Sequence, residues 1–172
     1  MATTFKLIAS HTVESGGTPS INFTSIPQTY TDLILKVSVR NNASATIRNS
    51  NLRVNNNSSS IYSEMLIDGI GTGTPSSSST SGILLNWGGL ANDTVSTANT
   101  FSNYEIYIPN YTSSANKTIS VDAVAENNAT FGQTRFSSLL ASTSAPITSV
   151  NIIGEVDFLQ YSTAYLYGVS NA

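Results

Sequence analysis

Apolar and polar residues alternate along several segments of the chain. Three segments show the alternation most clearly: 31–40, 104–108 and 117–125. In the first of them, Leu33, Leu35 and Val37 fall on one side of an extended chain, opposite mainly polar residues. Because successive side chains of a strand point to opposite faces, this period of two predicts β-strands with one buried face.

Shorter apolar runs, separated by clusters of Gly, Pro, Asn and Ser, predict further strands. These runs are Thr4–Ala9, Ser20–Phe23, Asn51–Val54, Ser60–Ile67, Ile83–Leu85, Arg135–Ala141, Ser149–Ile153 and Phe158–Tyr167. No sustained helical period accompanies them. We therefore expect an all-β fold, a single jelly-roll-like β-sandwich of about eight to ten strands. It would span residues 1–172 as one domain with a short N-terminal contact arm. The segment Gly69–Ser81 is expected to be a long surface loop.

Composition gives the predicted sandwich an uncharged surface. Charged residues make up 10% of the chain, against about 25% in an average soluble domain. Ser, Thr and Asn account for 67 of the 172 residues, while apolar residues reach 40%. Because the apolar content is normal and the net charge is only −3, the chain can build a core and does not have the composition of a disordered protein.

Charge and cysteine content argue against several classes of protein. The seven basic residues are scattered, so the chain lacks the basic patch that nucleic-acid binding requires. No apolar run approaches the roughly 20 residues of a membrane span, and the N-terminus does not resemble a signal peptide. The absence of cysteine excludes disulfides and thiolate chemistry. We expect no nucleic-acid partner, no membrane partner and no cofactor.

The residues that could support catalysis do not form a recognisable motif. His11 is the one histidine, and no Gly-x-Ser-x-Gly turn accompanies it, so we interpret it as structural. Asp122 and Glu126 fall on one strand face and are the nearest approach to a glycosidase acid pair. The glycines after Asp68 match neither a phosphate loop nor a calcium loop. The prediction is a protein that is not an enzyme and has no catalytic or metal-binding residues.

The aromatic residues leave two interpretations open. Trp87 stands beside two glycines at a predicted strand end, where it would plug one end of the sandwich or stack on a sugar. The eight tyrosines suit strand packing and subunit contacts equally well, since Tyr and Trp are enriched at interfaces.

Two segments resemble a family of small all-β virion proteins of tailed bacteriophages and cyanophages. Ser25–Leu33 is similar to an IP-xx-Y-T-D-L segment of that family, and Phe158–Val169 is similar to its F-x-Q-x-S-T-A-x-L-Y-G ending. The resemblance implies a structural protein of the phage particle, placed on the capsid as decoration, in a head fibre or in the tail. It implies strands and turns and transfers no catalytic residue.

The resemblance and the composition together favour a capsid decoration (cement) protein. It would be made in the host cytoplasm, be located on the capsid surface of the virion, form a homotrimer and bind over junctions of the major capsid protein. The alternative is a fibre or tail-tip domain that binds host glycan. We expect the partner contacts to include Thr3, Thr4, Phe5, Ile70, Thr72 and Trp87.

Overall fold

A computed structural model describes residues 4–44, 47–71, 73, 76–82, 90–126 and 132–170. Every regular element of this part of the chain is a β-strand, which confirms the predicted all-β class. The twelve strands are β1 (Phe5–Thr12), β2 (Thr18–Phe23), β3 (Asp32–Val39), β4 (Ile47–Val54), β5 (Tyr62–Ile70), β6 (Ser76–Gly82), β7 (Leu90–Asn92), β8 (Ser102–Ile108), β9 (Lys117–Glu126), β10 (Gly132–Ala141), β11 (Val150–Phe158) and β12 (Thr163–Val169).

The strands form two antiparallel sheets with jelly-roll connections. The large sheet has the order β1-β12-β3-β8-β9-β10-β5-β6, and the small sheet has the order β2-β11-β4-β7. Without the hairpins β5-β6 and β9-β10, the remaining eight strands, counted along the chain, are ordered 1-8-3-6 and 2-7-4-5. This is the double Greek key of a jelly roll. The predicted sandwich is confirmed, and the two inserted hairpins raise the strand number above the expected eight to ten.

The core lies between the two sheets and follows the predicted alternation. In β3, the inward side chains of Leu33, Leu35 and Val39 are completely buried. They belong to the same apolar cluster as Leu52 and Ile152 of the small sheet. Burying such side chains stabilises the fold by about 25 cal/mol for each Å² of apolar surface that is removed from water. This is the main contribution that holds the two sheets together.

The prediction of a long surface loop over Gly69–Ser81 is wrong for most of this segment. Strand β5 continues to Ile70, and β6 pairs antiparallel with β5 from Ser76 to Gly82. A run of serines forms a strand here because pairing with β5 satisfies the backbone hydrogen-bonding groups, whatever side chains the strand carries. Two strands therefore occupy most of the segment for which a loop was predicted.

The inner side of the inserted hairpins carries a buried ion pair. Arg135 of β10 lies opposite Asp68 of β5, with its Nε 2.7 Å from Asp68 Oδ1 and its Nη2 2.9 Å from Asp68 Oδ2. Its Nη1 donates to Asn49 Oδ1 of the small sheet at 2.7 Å. Each guanidinium nitrogen thus has an acceptor, and the pair links the two sheets where apolar residues would otherwise meet.

Candidate functional site

The surface most suited to binding is the outer face of the large sheet, meaning the side that points away from the small sheet. Among the described residues, the structure has ten exposed large apolar side chains. Seven of the ten lie on this face: Phe5, Leu7, Met65, Ile67, Val124, Phe136 and Tyr165. Scattered exposed apolar residues are normal, but a concentration on one face marks an interaction surface.

Strand register places five of these seven side chains in two rows across the sheet. One row runs from β5 to β1 and contains Ile67, Phe136, Asp122, Glu105, Lys36, Tyr165 and Ser10. The neighbouring row contains Met65, Ser138, Ser120, Tyr107, Ile34, Tyr167 and Leu7. The first row is apolar at its β5 end and charged in the middle, and the second row begins with Met65 and ends with Leu7.

A groove of about 380 Å³ lies at the β5 end of the outer face. Met65, Ile67 and Phe136 line its apolar side, and each of these side chains is more than half exposed. Tyr107 and Asp122 line the side nearer the middle of the sheet. The groove is open, so a ligand there would meet an apolar wall on one side and a carboxylate on the other.

The middle of the outer face carries three charges in adjacent strands. Lys36 of β3 forms an ion pair with Glu105 of β8, and Glu105 lies directly opposite Asp122 of β9. Asp122 is exposed and forms no ion pair with any residue that the structure describes. The lysine therefore pairs with only one of two neighbouring carboxylates, and the Asp122 end of the row has an excess of negative charge.

The expected partner-contact residues that the structure describes do not form one site. Phe5 is 52% exposed at the start of β1, and Ile70 is 39% exposed at the end of β5. Six strand spacings separate β1 from β5 in the large sheet. Thr4 is exposed next to Phe5, whereas Thr3, Thr72 and Trp87 fall outside the described residues.

Sequence reasoning missed the apolar residues of β5 and β10 on the outer face. A signal was present in the segment 62–68, because both of its phases contain apolar residues. Tyr62 and Leu66 are buried, whereas Met65 and Ile67 are exposed on the opposite face. A strand with apolar residues on both faces indicates either burial on both sides or a contact surface on one of them.

The acids considered for catalysis are separated by the fold. Asp122 points to the outer face, whereas the Glu126 carboxylate accepts hydrogen bonds from the Thr97 backbone N–H at 3.0 Å and its hydroxyl at 2.8 Å. Glu126 therefore anchors the loop between β7 and β8. His11 is exposed on β1. Within the described ranges, no group of three or more His, Asp or Glu side chains is placed to hold a metal ion.

The two segments that carry the family resemblance pack against each other. The Tyr30 ring lies over Gly168, where an added Cβ would lie 2.3 Å from the ring. The Thr31 backbone N–H donates to the Val169 carbonyl at 2.8 Å, and Leu33 lies opposite Gly168. Both carboxylate oxygens of Asp32 accept hydrogen bonds, from Tyr107 and from the Asn110 backbone. In this chain, the residues of both motifs hold strands together.

The outer side of the small sheet is polar, in contrast to that of the large sheet. Asn22, Asn151 and Arg53 form one cross-strand row there, and Asn151 Nδ2 donates to Asn22 Oδ1 at 2.7 Å. They line a shallow groove of about 510 Å³. The chemistry of this groove suits hydroxyl-rich ligands, because the amide groups can donate and accept hydrogen bonds and the guanidinium group can donate them.

Comparison with known proteins leaves the family open. No protein-family model matches the chain, and a search of curated proteins found no significant match. The part of the chain that the structure describes contains no helix long and apolar enough to cross a membrane. The fold and its surfaces therefore carry the functional argument.

Proposed function

We propose that the chain is a structural protein of a tailed-phage virion and acts as a capsid decoration protein. The observation that carries the proposal is the concentration of exposed apolar side chains on the outer face of the large sheet. A sheet face with exposed apolar side chains serves contact with other protein surfaces, either copies of the same chain or other components of an assembly.

Two further features support a place on the virion. The jelly-roll fold recurs in viral capsid proteins and in lectins. Ser25–Leu33 and Phe158–Val169 resemble virion proteins, and here both segments hold the sandwich together. A fold that many functions share does not by itself assign a function. The resemblance is therefore the argument for a virion protein, and the exposed apolar sheet face is the argument for contact with other proteins.

The mechanism of decoration is additive burial of surface. Each copy would cover parts of two or three major capsid subunits, and separating those subunits would then also require exposing the added interface. The capsid would gain a stabilising free energy of roughly 25 cal/mol per Å² of apolar area buried, less the free-energy cost of association. The capsid contacts remain those expected from the sequence, with Phe5 in the edge strand β1 and Ile70 in β5, next to the other edge strand, as the described apolar candidates.

The decisive experiment measures where the protein is located and in how many copies. Purified particles are separated into DNA-filled heads and detached tails, and the chain is quantified in each fraction by mass spectrometry against the major capsid protein. We expect near-stoichiometric recovery with the heads, and stripping the protein should lower the temperature at which the heads release DNA. Recovery with tails at low copy number would overturn the decoration role.

A second function, binding of host glycan in a fibre or tail tip, is favoured by the polar groove of the small sheet. Asn22, Asn151 and Arg53 present amide and guanidinium groups there. A glycan array separates the two functions: glycan binding that is lost in the Asn151→Ala variant supports a receptor-binding domain, and no binding supports decoration. Trp87, the stacking residue expected from the sequence, lies outside the described residues and is tested in the same assay.

A further inference from the structure

We infer that the outer face of the large sheet binds a second copy of this chain around a two-fold axis parallel to β8. The inference depends on the residue pattern of that face and not on the virion role. Strand β8 is the middle strand of the seven that run from β5 to β1. Rotation about an axis above β8 places β5 over β1 of the second copy, β10 over β12, and β9 over β3.

Under this rotation Asp122 and Lys36 of the outer face are complementary, whereas the Glu105 side chains of the two copies approach each other at the axis, because Glu105 lies on β8. Asp122 lies one strand to one side of Glu105 in its row, and Lys36 lies one strand to the other side. The rotation therefore places Asp122 of each copy over Lys36 of the other. Each lysine then contacts its own Glu105 and the Asp122 of the second copy, so the carboxylate that forms no ion pair with the described residues of its own chain gains one.

Apolar residues towards the ends of the rows also meet, while Ile67 of β5 falls over Ser10 of β1. Phe136 of β10 falls over Tyr165 of β12, because both lie two strands from β8 in the same row. In the next row, Met65 of β5 falls over Leu7 of β1. Tyr107 lies on β8 itself, so the two copies of this ring meet at the axis, where aromatic pairs contribute beyond the burial of their area.

The size of the face matches a moderate dimer interface. Seven strands at about 4.8 Å spacing span roughly 29 Å, and three rows of outward residues span about 20 Å along the strands. The product is roughly 600 Å² per copy, or about 1,200 Å² in total, the lower end of the range for specific interfaces. Interfaces of this size are typical of weak or transient complexes, so we expect a dissociation constant in the micromolar range.

This assembly differs from the trimer expected from the sequence, and the mass of the protein in solution distinguishes them. Sedimentation equilibrium of the full chain from about 1 to 300 µM should give a monomer–dimer equilibrium. Phe136→Asp should leave a monomer throughout that range. Val95→Asp is the matched control, since Val95 is similarly exposed but lies in the loop after β7, and it should dimerise like the wild type.

A charge exchange tests the axis itself. Asp122→Lys places lysines over Lys36, and Lys36→Asp places aspartates over Asp122, so each change should raise the dissociation constant about tenfold or more. The double variant restores opposite charges between copies and keeps one lysine beside Glu105. It should recover the wild-type constant to within about threefold. Circular dichroism checks that each variant is folded.

Several results would overturn the inference. They are a wild type that is monomeric at 300 µM or forms a trimer, a Val95→Asp variant that dissociates as far as Phe136→Asp, and a double charge variant as weak as either single one. Dimerisation that survives Phe136→Asp would place the interface elsewhere on the chain.

Discussion

The two sheets of this sandwich distribute polar and apolar residues in opposite ways at their outer surfaces. The small sheet follows the usual rule, with Ile152 and Leu52 inside and Asn151 and Arg53 outside. The inserted hairpins of the large sheet depart from this rule. There Asp68 and Arg135 are buried on the inner side, while the apolar side chains of Ile67 and Phe136 are exposed.

The difference shows that burial and apolar character are separate properties of a strand face. On the inner side of β5 and β10, a charged pair is stable because each charge has a bidentate or amide partner. On the outer side, Phe136 and Ile67 remain apolar without being covered. Such a face is typical of a contact surface, whereas the polar outer side of the small sheet needs no partner.

The largest expected effect comes from breaking the buried pair inside the large sheet. Arg135→Leu leaves the Asp68 carboxylate buried without its guanidinium partner, which costs about 3–5 kcal/mol of unfolding free energy. Urea denaturation at one fixed protein concentration measures the loss, since association with a second copy would make stability depend on concentration.

The double variant Arg135→Leu/Asp68→Leu separates pairing from burial. With both charges removed, most of the stability should return, because apolar residues of similar size replace a desolvated ion pair at little net cost. A single Arg135→Leu variant within about 1 kcal/mol of the wild type would show that the inner side of the hairpins does not depend on the pair.

A smaller effect is expected at the buried acid of the small sheet, Asp93, which follows β7. Its side chain is completely buried, and Arg48 Nε lies 3.7 Å from Asp93 Oδ2. Burial raises the pKa of Asp93 from 3.8 to about 6, and the Arg48 charge only partly opposes this rise. Asp93 has a guanidinium nearby but, unlike Asp68, does not form a close bidentate pair with it.

The raised pKa of Asp93 determines the direction in which the stability of the fold changes with pH. The unfolded chain releases the Asp93 proton near pH 4 and the folded chain near pH 6, so the contribution of Asp93 to stability is lost as the pH rises through this window. Asp93→Asn does not titrate, and its stability relative to the wild type should rise by about 2 kcal/mol between pH 4.5 and 7. Thermal unfolding in matched buffers measures the difference, and a constant offset would contradict the raised pKa.

The smallest effect is expected on the polar outer side of the small sheet. Asn151→Ala removes the exposed hydrogen bond to Asn22 and should change the unfolding free energy by about 0.5 kcal/mol or less. The sedimentation profile should match that of the wild type, in contrast to Phe136→Asp. A change in mass would place a contact on this sheet and remove the distinction between the two outer surfaces.

The prediction from sequence succeeded where one phase of a strand was apolar and the other polar. Strands β3 and β9 have the predicted buried residues, among them Leu35 and Val121. It failed at β6, because the strand Ser76–Gly82 has a composition typical of a loop and is held by its pairing with β5. The candidate site was missed for a related reason, since Met65 and Phe136 resemble core residues until the sheet order is known.

The amino-acid sequence by itself determined the all-β class, the low surface charge and the inward phase of the strands with regular alternation, since these depend on residue type and local spacing. Only the tertiary structure decided which face of β5 and β10 is covered. It also paired Arg135 with Asp68 and aligned Phe136, Asp122 and Lys36 in one row. The physical reason is that strand order and register bring together residues that are far apart in the chain. An alternation with a period of two does not reveal which of the two faces is exposed to water.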